Sequence, residues 1–183
     1  GTFSGEVTEW TFENGVIVSH QESQIAAGRI SVWAESTGGW SALEDPDASL
    51  AAAAVLAVSE SGVGGHDALT TARYLESRDV SVSAAIAEGY EGVYGGGAAG
   101  DAEDLFALMH LTMIDPGVDD VAVRTVGRLG ESALELLETD TDARQFARLL
   151  ELLVGGDPRY PEDLTQDEID ALDGDELRTI FLD

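Results

Sequence analysis

Hydrophobic and polar residues alternate in several short stretches near the N-terminus, and this period of two predicts β-strands. Two such stretches, residues 8–12 and 16–20, flank the dipeptide Asn14-Gly15. Asn-Gly between alternating stretches is typical of a β-hairpin with a type I′ turn, in which both turn residues have positive φ. A third strand is predicted over residues 29–35, because apolar side chains again occupy every second position.

A second strand pair and a glycine-rich segment follow. Residues 80–87 alternate, turn at 88–89 and continue into a strand over 90–94. Residues 95–100 then spell Gly-x-Gly-x-x-Gly before a helix that we expect to begin at Asp101, its N-cap. A dinucleotide-binding loop needs a parallel β-α-β unit, whereas this strand belongs to a hairpin and three acids crowd the helix start. We therefore interpret the glycines as a tight structural crossing.

Longer stretches repeat their apolar residues every three to four positions, which predicts helices. Besides the helix at Asp101, the predicted helices span 48–61, 67–77, 118–137, 141–154 and 175–181. Thr165 and Glu168 form a capping box at the start of another helix. The helix over 48–61 is apolar nearly all round, which predicts burial on more than one side. In the helix over 141–154, the residues predicted to point inward are Phe146, Leu149, Leu150 and Leu153.

The order of these elements predicts an α+β fold, in which helices cover one face of a largely antiparallel or mixed sheet. A chain of 183 residues is long enough for one domain with its own core. It contains no internal repeat and no obvious linker, so we expect residues 1–183 to form a single domain. Because it begins with Gly1 rather than methionine, we also expect it to be a fragment of a longer chain.

The composition is strongly acidic. The chain has 36 acidic residues and 9 basic ones, all of them arginine, for a formal net charge of -27. Nucleic-acid binding depends on lysine and arginine neutralising phosphates, so this charge argues against it. The acids are spread over the helix faces, which favours a solvated surface of the halophilic kind over a functional acidic patch. No apolar stretch approaches the roughly 20 residues that a membrane helix needs, so we expect no membrane segment.

The residues by themselves indicate neither a catalytic nor a metal site. The absence of cysteine excludes disulfides and thiolate ligands. His20, His66 and His110 are too far apart for a zinc-binding pair on one helix, and we expect His110 to be a packed core histidine. The acidic segment 170–176 lacks the spacing of an EF-hand calcium loop. No Gly-x-Ser-x-Gly segment is present either, which leaves no candidate serine nucleophile.

Several segments nevertheless resemble one known family when they are taken in order: 10–18, 38–39 followed by 51–65, 90–111 and 156–165. The marker residues within them are Asn14, Gly15, Gly62, Gly64, Gly95, Gly97, Asp101, Asp157 and Pro158. Together these segments resemble the pitrilysin/insulinase family of zinc metallopeptidases, which is related to mitochondrial processing peptidase. The resemblance covers nearly the whole chain. It implies the LuxS/processing-peptidase-like metallohydrolase fold without its last strand.

The same resemblance implies an inactive half of such an enzyme. Active halves carry His-x-x-Glu-His on the helix after the third strand, together with a more distant glutamate ligand. The equivalent positions in this chain hold Ala53, Ala54, Val55, Leu56 and Ala57. Without imidazole ligands there is no zinc, and without the glutamate there is no base to activate water. The resemblance thus implies no catalytic residue and no cofactor in this chain, with zinc only in the active half.

We therefore expect a non-catalytic half-domain that helps to shape a peptide-substrate chamber opposite the active half. Its partners would be that active half, in the same or another chain, and a peptide substrate. The alternative is a stand-alone interaction or scaffold protein that uses the same fold, and a free-standing enzyme ranks third. The family resemblance slightly favours a periplasmic or other extracytoplasmic location over a cytoplasmic one.

Overall fold

The computed structural model describes residues 6–23, 25–42, 45–155 and 164–182. The strands in these ranges are β1 (Val7–Thr11), β2 (Ile17–Gln21), β3 (Arg29–Thr37), β4 (Val80–Ile86) and β5 (Tyr90–Ala98). The α-helices are α1 (Asp45–Ser59), α2 (Ala68–Glu76), α3 (Ala102–Ile114), α4 (Asp120–Thr139), α5 (Thr141–Val154), α6 (Gln166–Asp170) and α7 (Gly174–Leu182). Short 3-10 turns lie at Trp40–Ala42 and Ala99–Asp101. Strands and helices follow each other in the predicted order.

A three-stranded antiparallel sheet in the order β3-β5-β4 forms the centre of the fold. One face of this sheet packs against α3 through Leu105 and Met109, which are 0% and 3% exposed. The sheet residues on that face are Ile30, Val32, Ala34, Val80, Val82, Ala84 and Val93. The described residues leave the opposite face largely exposed, and Trp33 on that face is 68% exposed. The predicted α+β fold, with helices on one face of an antiparallel sheet, is therefore confirmed.

The glycine-rich segment is part of the central strand, so the prediction of a crossing was wrong. β5 continues through the glycines and pairs with a neighbour on each side. A Cβ atom on Gly95 would lie 2.6 Å from Leu105 Cδ1 and 2.9 Å from Met109 Sδ, and one on Gly97 would lie 2.1 Å from Asp79 O. Glycine lets α3 lie close to the strand, and this packing outweighs the weak strand propensity of glycine.

Helix α1 lies in a second core cluster, formed by helices. Its contacts include Ala122 and Val126 of α4 and Leu177 and Ile180 of α7. The fully or nearly buried alanines of α1 in this cluster are Ala51, Ala53, Ala54 and Ala57. The predicted burial on more than one side is therefore confirmed. Short side chains allow three helices to approach each other closely, which is why the segment is so rich in alanine.

Helices α4 and α5 form a helical hairpin joined at Asp140. The Asp140 carboxylate caps α5 by accepting hydrogen bonds of 2.8 Å from the amides of Asp142 and Ala143. The prediction that the large apolar residues of α5 point inward was wrong. Phe146, Leu149, Leu150 and Leu153 are 43–69% exposed, and the less exposed residues are Ala143, Ala147 and Val154. A helical pattern locates an apolar stripe, but it does not determine which surface covers that stripe.

The β1–β2 hairpin forms a separate two-stranded sheet, and both of its strands are exposed. Its turn is not the predicted type I′ turn, because Asn14 does not have a positive φ. Instead, the Gly15 amide donates to Phe12 O (3.0 Å), the Phe12 amide donates to Val16 O (2.8 Å), and Gly15 has φ 89°. This is a three-residue loop that ends in a left-handed glycine. Among the described helices of the protein, none combines the length and apolar character needed to cross a bilayer.

Candidate functional site

Residues 53–57, the positions that correspond to the zinc-binding motif, lie in the middle of α1. Ala53, Ala54 and Ala57 are 6%, 0% and 0% exposed, and Val55 and Leu56 are half-buried. All five side chains are alkyl groups without a lone pair for a metal ion. An unpaired cation held among them would lose its hydration without gaining ligands, at a high cost in free energy. These residues do not fit zinc.

An apolar cleft of about 210 Å³ lies between α1 and α4 beside these positions. Its lining residues are Ala52, Ala53, Leu56, Val126, Leu129, Gly130, Ala133, Leu134 and Leu164. No imidazole, carboxylate or hydroxyl group is among them, so the cleft suits an apolar group. None of these described side chains could act as a base toward a water molecule for hydrolysis.

The three histidines lie apart. His20 is on β2, His66 is in the loop before α2, and His110 is on α3. His110 is exposed, so its predicted core packing was wrong; Leu105 and Met109 occupy the buried side of its helix. Within the described ranges, no three His, Asp or Glu side chains come together in an arrangement that could hold a metal ion.

One acidic residue of the segment 170–176, Asp173, caps a helix. Asp173 Oδ1 accepts hydrogen bonds from the amides of Asp175 (3.0 Å) and Glu176 (3.1 Å) at the start of α7. Just upstream, the predicted capping box of α6 is confirmed: the amide of Thr165 donates to Glu168 (2.7 Å), and Thr165 Oγ1 accepts from the Glu168 amide (3.3 Å). The bonds from Thr165 lower the pKa of Glu168. These acids satisfy helix amides, as carboxylates at helix starts commonly do.

Asp101 stands at the N-cap position of α3 but does not cap it, which corrects our expectation. Its carboxylate accepts a 3.2 Å hydrogen bond from the Asp79 amide, and this bond ties the helix start to the residue before β4. In contrast to α3, the helices α2, α4 and α5 are each capped by an aspartate carboxylate, from Asp67, Asp119 and Asp140 respectively. The sequence pattern indicated the correct boundary, but the amide of Asp79, just before β4, binds this side chain instead.

Asp104, three residues further along, joins α3 to α2. It accepts hydrogen bonds from the Tyr74 hydroxyl (2.6 Å) and from Arg78 Nε (2.7 Å). The guanidinium of Arg78 also lies 3.7 Å from the centre of the Tyr74 ring. The hydrogen bond from Tyr74, followed by that from Arg78, lowers the pKa of Asp104. Every polar group in this cluster has a structural partner, so it is an anchor between helices.

The remaining family markers shape loops. Gly64 has φ 61°, in the left-handed region that favours glycine. A Cβ atom on Gly62 would lie 1.9 Å from His66 O, and the carbonyl of Gly62 accepts a 2.8 Å hydrogen bond from the Gly117 amide. In the first hairpin, Asn14 Oδ1 accepts a 3.2 Å bond from the Val16 amide. Asp157 and Pro158 lie outside the described residues.

The open face of the sheet carries aromatic residues that sequence reasoning missed. Trp33 lies directly opposite Tyr94, and Glu35 lies opposite Gly92. A Cβ atom on Gly92 would lie 3.1 Å from the Tyr94 hydroxyl oxygen and 3.2 Å from Glu35 Cγ, so both side chains lie over this glycine. Trp33 is 68% exposed, and Tyr90, two residues before Gly92, is 47% exposed. We call Trp33, Glu35, Tyr90, Gly92 and Tyr94 the aromatic shelf.

Partial burial and then the neighbouring Glu35 carboxylate raise the pKa of the Tyr94 phenol, so Tyr94 stays neutral at physiological pH. The period-two spacing of Tyr90, Gly92 and Tyr94 could have located the shelf from the sequence. What the sequence does not contain is the register that places Trp33 and Glu35 beside them.

No protein-family model and no curated protein matches the sequence. Solved structures do match. The periplasmic protease PqqL from Escherichia coli superposes with a TM-score of 0.84 and 21% identity over 100% of this chain and 20% of that chain. The ferredoxin protease FusC, solved in complex with Arabidopsis ferredoxin, superposes with a TM-score of 0.81 and 16% identity over 96% of this chain and 19% of the FusC chain.

A third structure, described as a peptidase M16 inactive domain from Pseudomonas fluorescens, gives a TM-score of 0.77 and 16% identity over 96% of this chain and 43% of that chain. The fold is that of M16 peptidase domains. The chain spans about a fifth of the length of PqqL and of FusC. Identities this low establish the fold alone.

Proposed function

We propose that this chain is a non-catalytic half-domain of a zinc peptidase of the pitrilysin/insulinase type. In this proposal, it contributes to the peptide-substrate chamber opposite an active half that holds the zinc. The observation that carries the proposal is the buried alkyl character of residues 53–57 within a peptidase-like fold. The similarity to a structure described as an inactive M16 domain supports it further.

The chemistry of the site supports this assignment over a free-standing enzyme. Zinc-dependent hydrolysis requires a metal held by protein ligands and a base that removes a proton from the bound water. At residues 53–57 the chain has neither, and the adjoining cleft is lined by apolar side chains. We therefore propose that this chain binds and encloses substrate and does not cut it. We include in the proposal one domain over 1–183, with an active peptidase half and a peptide as partners.

An extracytoplasmic location is also part of the proposal, and the description of the similar protease PqqL as periplasmic supports it. Here the parent protein means the longer protein of which we propose this chain is a part. A secretion signal in its gene would agree with an extracytoplasmic location, and a parent protein that fractionates with the cytoplasm would contradict it.

The parent reading frame and a reconstitution assay together test the proposed role. We expect the parent, or a neighbouring gene, to encode a domain with His-x-x-Glu-His. Cleavage of a fluorogenic peptide by that active half should then rise when this chain is added, whereas this chain alone should cleave nothing, even with added zinc. Its bound zinc, measured by elemental analysis, should be well below one ion per chain.

Two outcomes would contradict the proposal. Stoichiometric zinc with peptide cleavage by this chain alone would make it an enzyme. A parent system without any His-x-x-Glu-His domain would favour the stand-alone interaction protein.

A further inference from the structure

We propose that the aromatic shelf binds an arginine side chain of an extended peptide. This inference rests on the proposed function, because the peptide would be the substrate enclosed by the chamber. It goes beyond that function in naming the surface and the side chain it recognises.

The rings of the shelf supply the first part of the recognition. Trp33 and Tyr94 are directly opposed across β3 and β5, and Trp33 is 68% exposed. Exposed ring faces attract cations through their quadrupole, and tryptophan does so best. Arginine suits such a surface better than lysine, because the planar guanidinium stacks on a ring and is more weakly hydrated than an ammonium group.

Glu35 supplies the second part. Its side chain lies over Gly92 beside Tyr94, and among the described residues no basic side chain pairs with it. The other charges on this face, Arg29 and Asp79 at the far end, already pair with each other. A guanidinium stacked on the rings can therefore donate hydrogen bonds to the Glu35 carboxylate, an interaction that an apolar side chain cannot make.

The surroundings of the shelf leave space for the peptide backbone. The neighbouring open-face positions hold only small residues, namely Ser31, Ser81, Ser83, Ala85 and Gly96. An extended backbone can therefore cross this face without meeting a large side chain. An acidic peptide is disfavoured, because the whole chain has a formal charge of -27.

The test compares labelled nonapeptides that differ only at the central residue, which is arginine, lysine, citrulline or norleucine in a background of alanine, glycine and serine. Binding is followed by fluorescence anisotropy in about 1 M KCl, where the Debye length is about 3 Å and the overall charge is screened. We expect the arginine peptide to bind at least about fivefold more tightly than the citrulline peptide, with lysine between them.

Substitutions locate the site. Trp33→Leu and Glu35→Gln should each weaken binding of the arginine peptide about fivefold. The matched controls are Trp10→Leu and Glu9→Gln on the exposed β1 strand, which should leave binding unchanged. Because all four side chains are exposed, every variant is expected to fold, and its melting temperature verifies this.

Equal binding of the arginine, citrulline and norleucine peptides would overturn the arginine assignment, even if Trp33→Leu abolished it, while the proposed function would stand. Unchanged arginine binding in both shelf variants would also overturn the inference, because the site would lie elsewhere. Absence of binding by all four peptides would overturn it as well. The proposed function is judged separately, by the reconstitution with an active half.

Discussion

In this protein, single glycine residues allow side chains of one element to pack directly against the backbone of another. Gly95 leaves room for Leu105 and Met109 above the central strand. On α4, a Cβ atom on Gly130 would lie 2.8 Å from Ile169 Cδ1 of α6. Protein interiors are packed as densely as organic crystals, so one added methyl group at such a position must displace its neighbours.

Gly95→Ala is expected to destabilise the protein by about 1–3 kcal/mol, because its methyl group would overlap Leu105 and Met109 in the core. The matched control is Gly96→Ala in the same strand. Its methyl group would point to the open face and meet nothing closer than 3.4 Å. Urea unfolding of both variants measures the difference. Equal stability of the two variants would show that α3 does not lie against Gly95 as described.

Asp104→Asn is expected to lower stability at pH 7, because it weakens the bonds from Tyr74 and Arg78 that hold α2 against α3. The pKa of Asp104 is lowered in the folded state. Its stabilising contribution is therefore present above the unfolded value of about 3.9 and is lost as the pH falls through the lower folded value. The urea midpoints of Asp104→Asn and of the unsubstituted chain should differ at pH 7 and converge as the pH falls through the folded pKa of Asp104.

Glu103→Gln is the control for this charge removal, since Glu103 is exposed on the first turn of the same helix. Glu103→Gln should leave the urea midpoint nearly unchanged both at pH 7 and in acid. If the urea midpoints of Asp104→Asn and of the unsubstituted chain still differed in acid, the charge of the carboxylate would not be what stabilises the contact between α2 and α3.

At the scale of elements, the sequence predicted where helices begin and end better than it predicted which of their faces are buried. The bounds of α5 were predicted correctly, and α2 lies between its caps Asp67 and Ser77, because capping residues and helical periods are local signals. The extent of β5 was not predicted, because glycines carry no alternating pattern. The side that α5 buries and the exposure of His110 depend on neighbours distant in sequence. The same holds for the aromatic shelf, which exists only through strand register.

Thr165→Ala is expected to destabilise the protein by about 1 kcal/mol, because it removes the hydroxyl that accepts a hydrogen bond at the start of α6. Thermal unfolding detects a change of this size. Thr179→Ala is the control, since Thr179 is exposed in α7 and its hydroxyl bonds only to the Asp175 carbonyl of its own helix. Loss of stability in the control but not in Thr165→Ala would contradict the assigned capping role.

At the scale of the whole molecule, charge is the dominant property. A formal charge of -27 on 183 residues repels itself, and this repulsion opposes the compact state. The described ion pairs offset little of it, since most pairs at an exposed surface contribute less than about 1 kcal/mol each.

Added salt is therefore expected to stabilise the fold. The melting temperature should rise steeply between about 0.05 M and 1 M KCl, as screening shortens the Debye length from more than 10 Å to about 3 Å. A charge-reduced variant provides the control, with glutamine at the exposed positions Glu6, Glu22, Glu60, Glu76, Glu88 and Glu131. Its melting temperature should be higher at low salt and respond less to KCl. If the melting temperature of the unsubstituted chain did not change with KCl concentration, this would contradict a salt-adapted surface.

The order β3-β5-β4 leaves β3 and β4 each with one side that has no strand partner among the described residues. Such strands are templates for hydrogen bonding to another chain. Repulsion between copies hinders this pairing at neutral pH, but it vanishes as the pH approaches the isoelectric point of about 4.1. Near that pH we therefore expect copies of this chain to associate through these strand edges, which light scattering would detect.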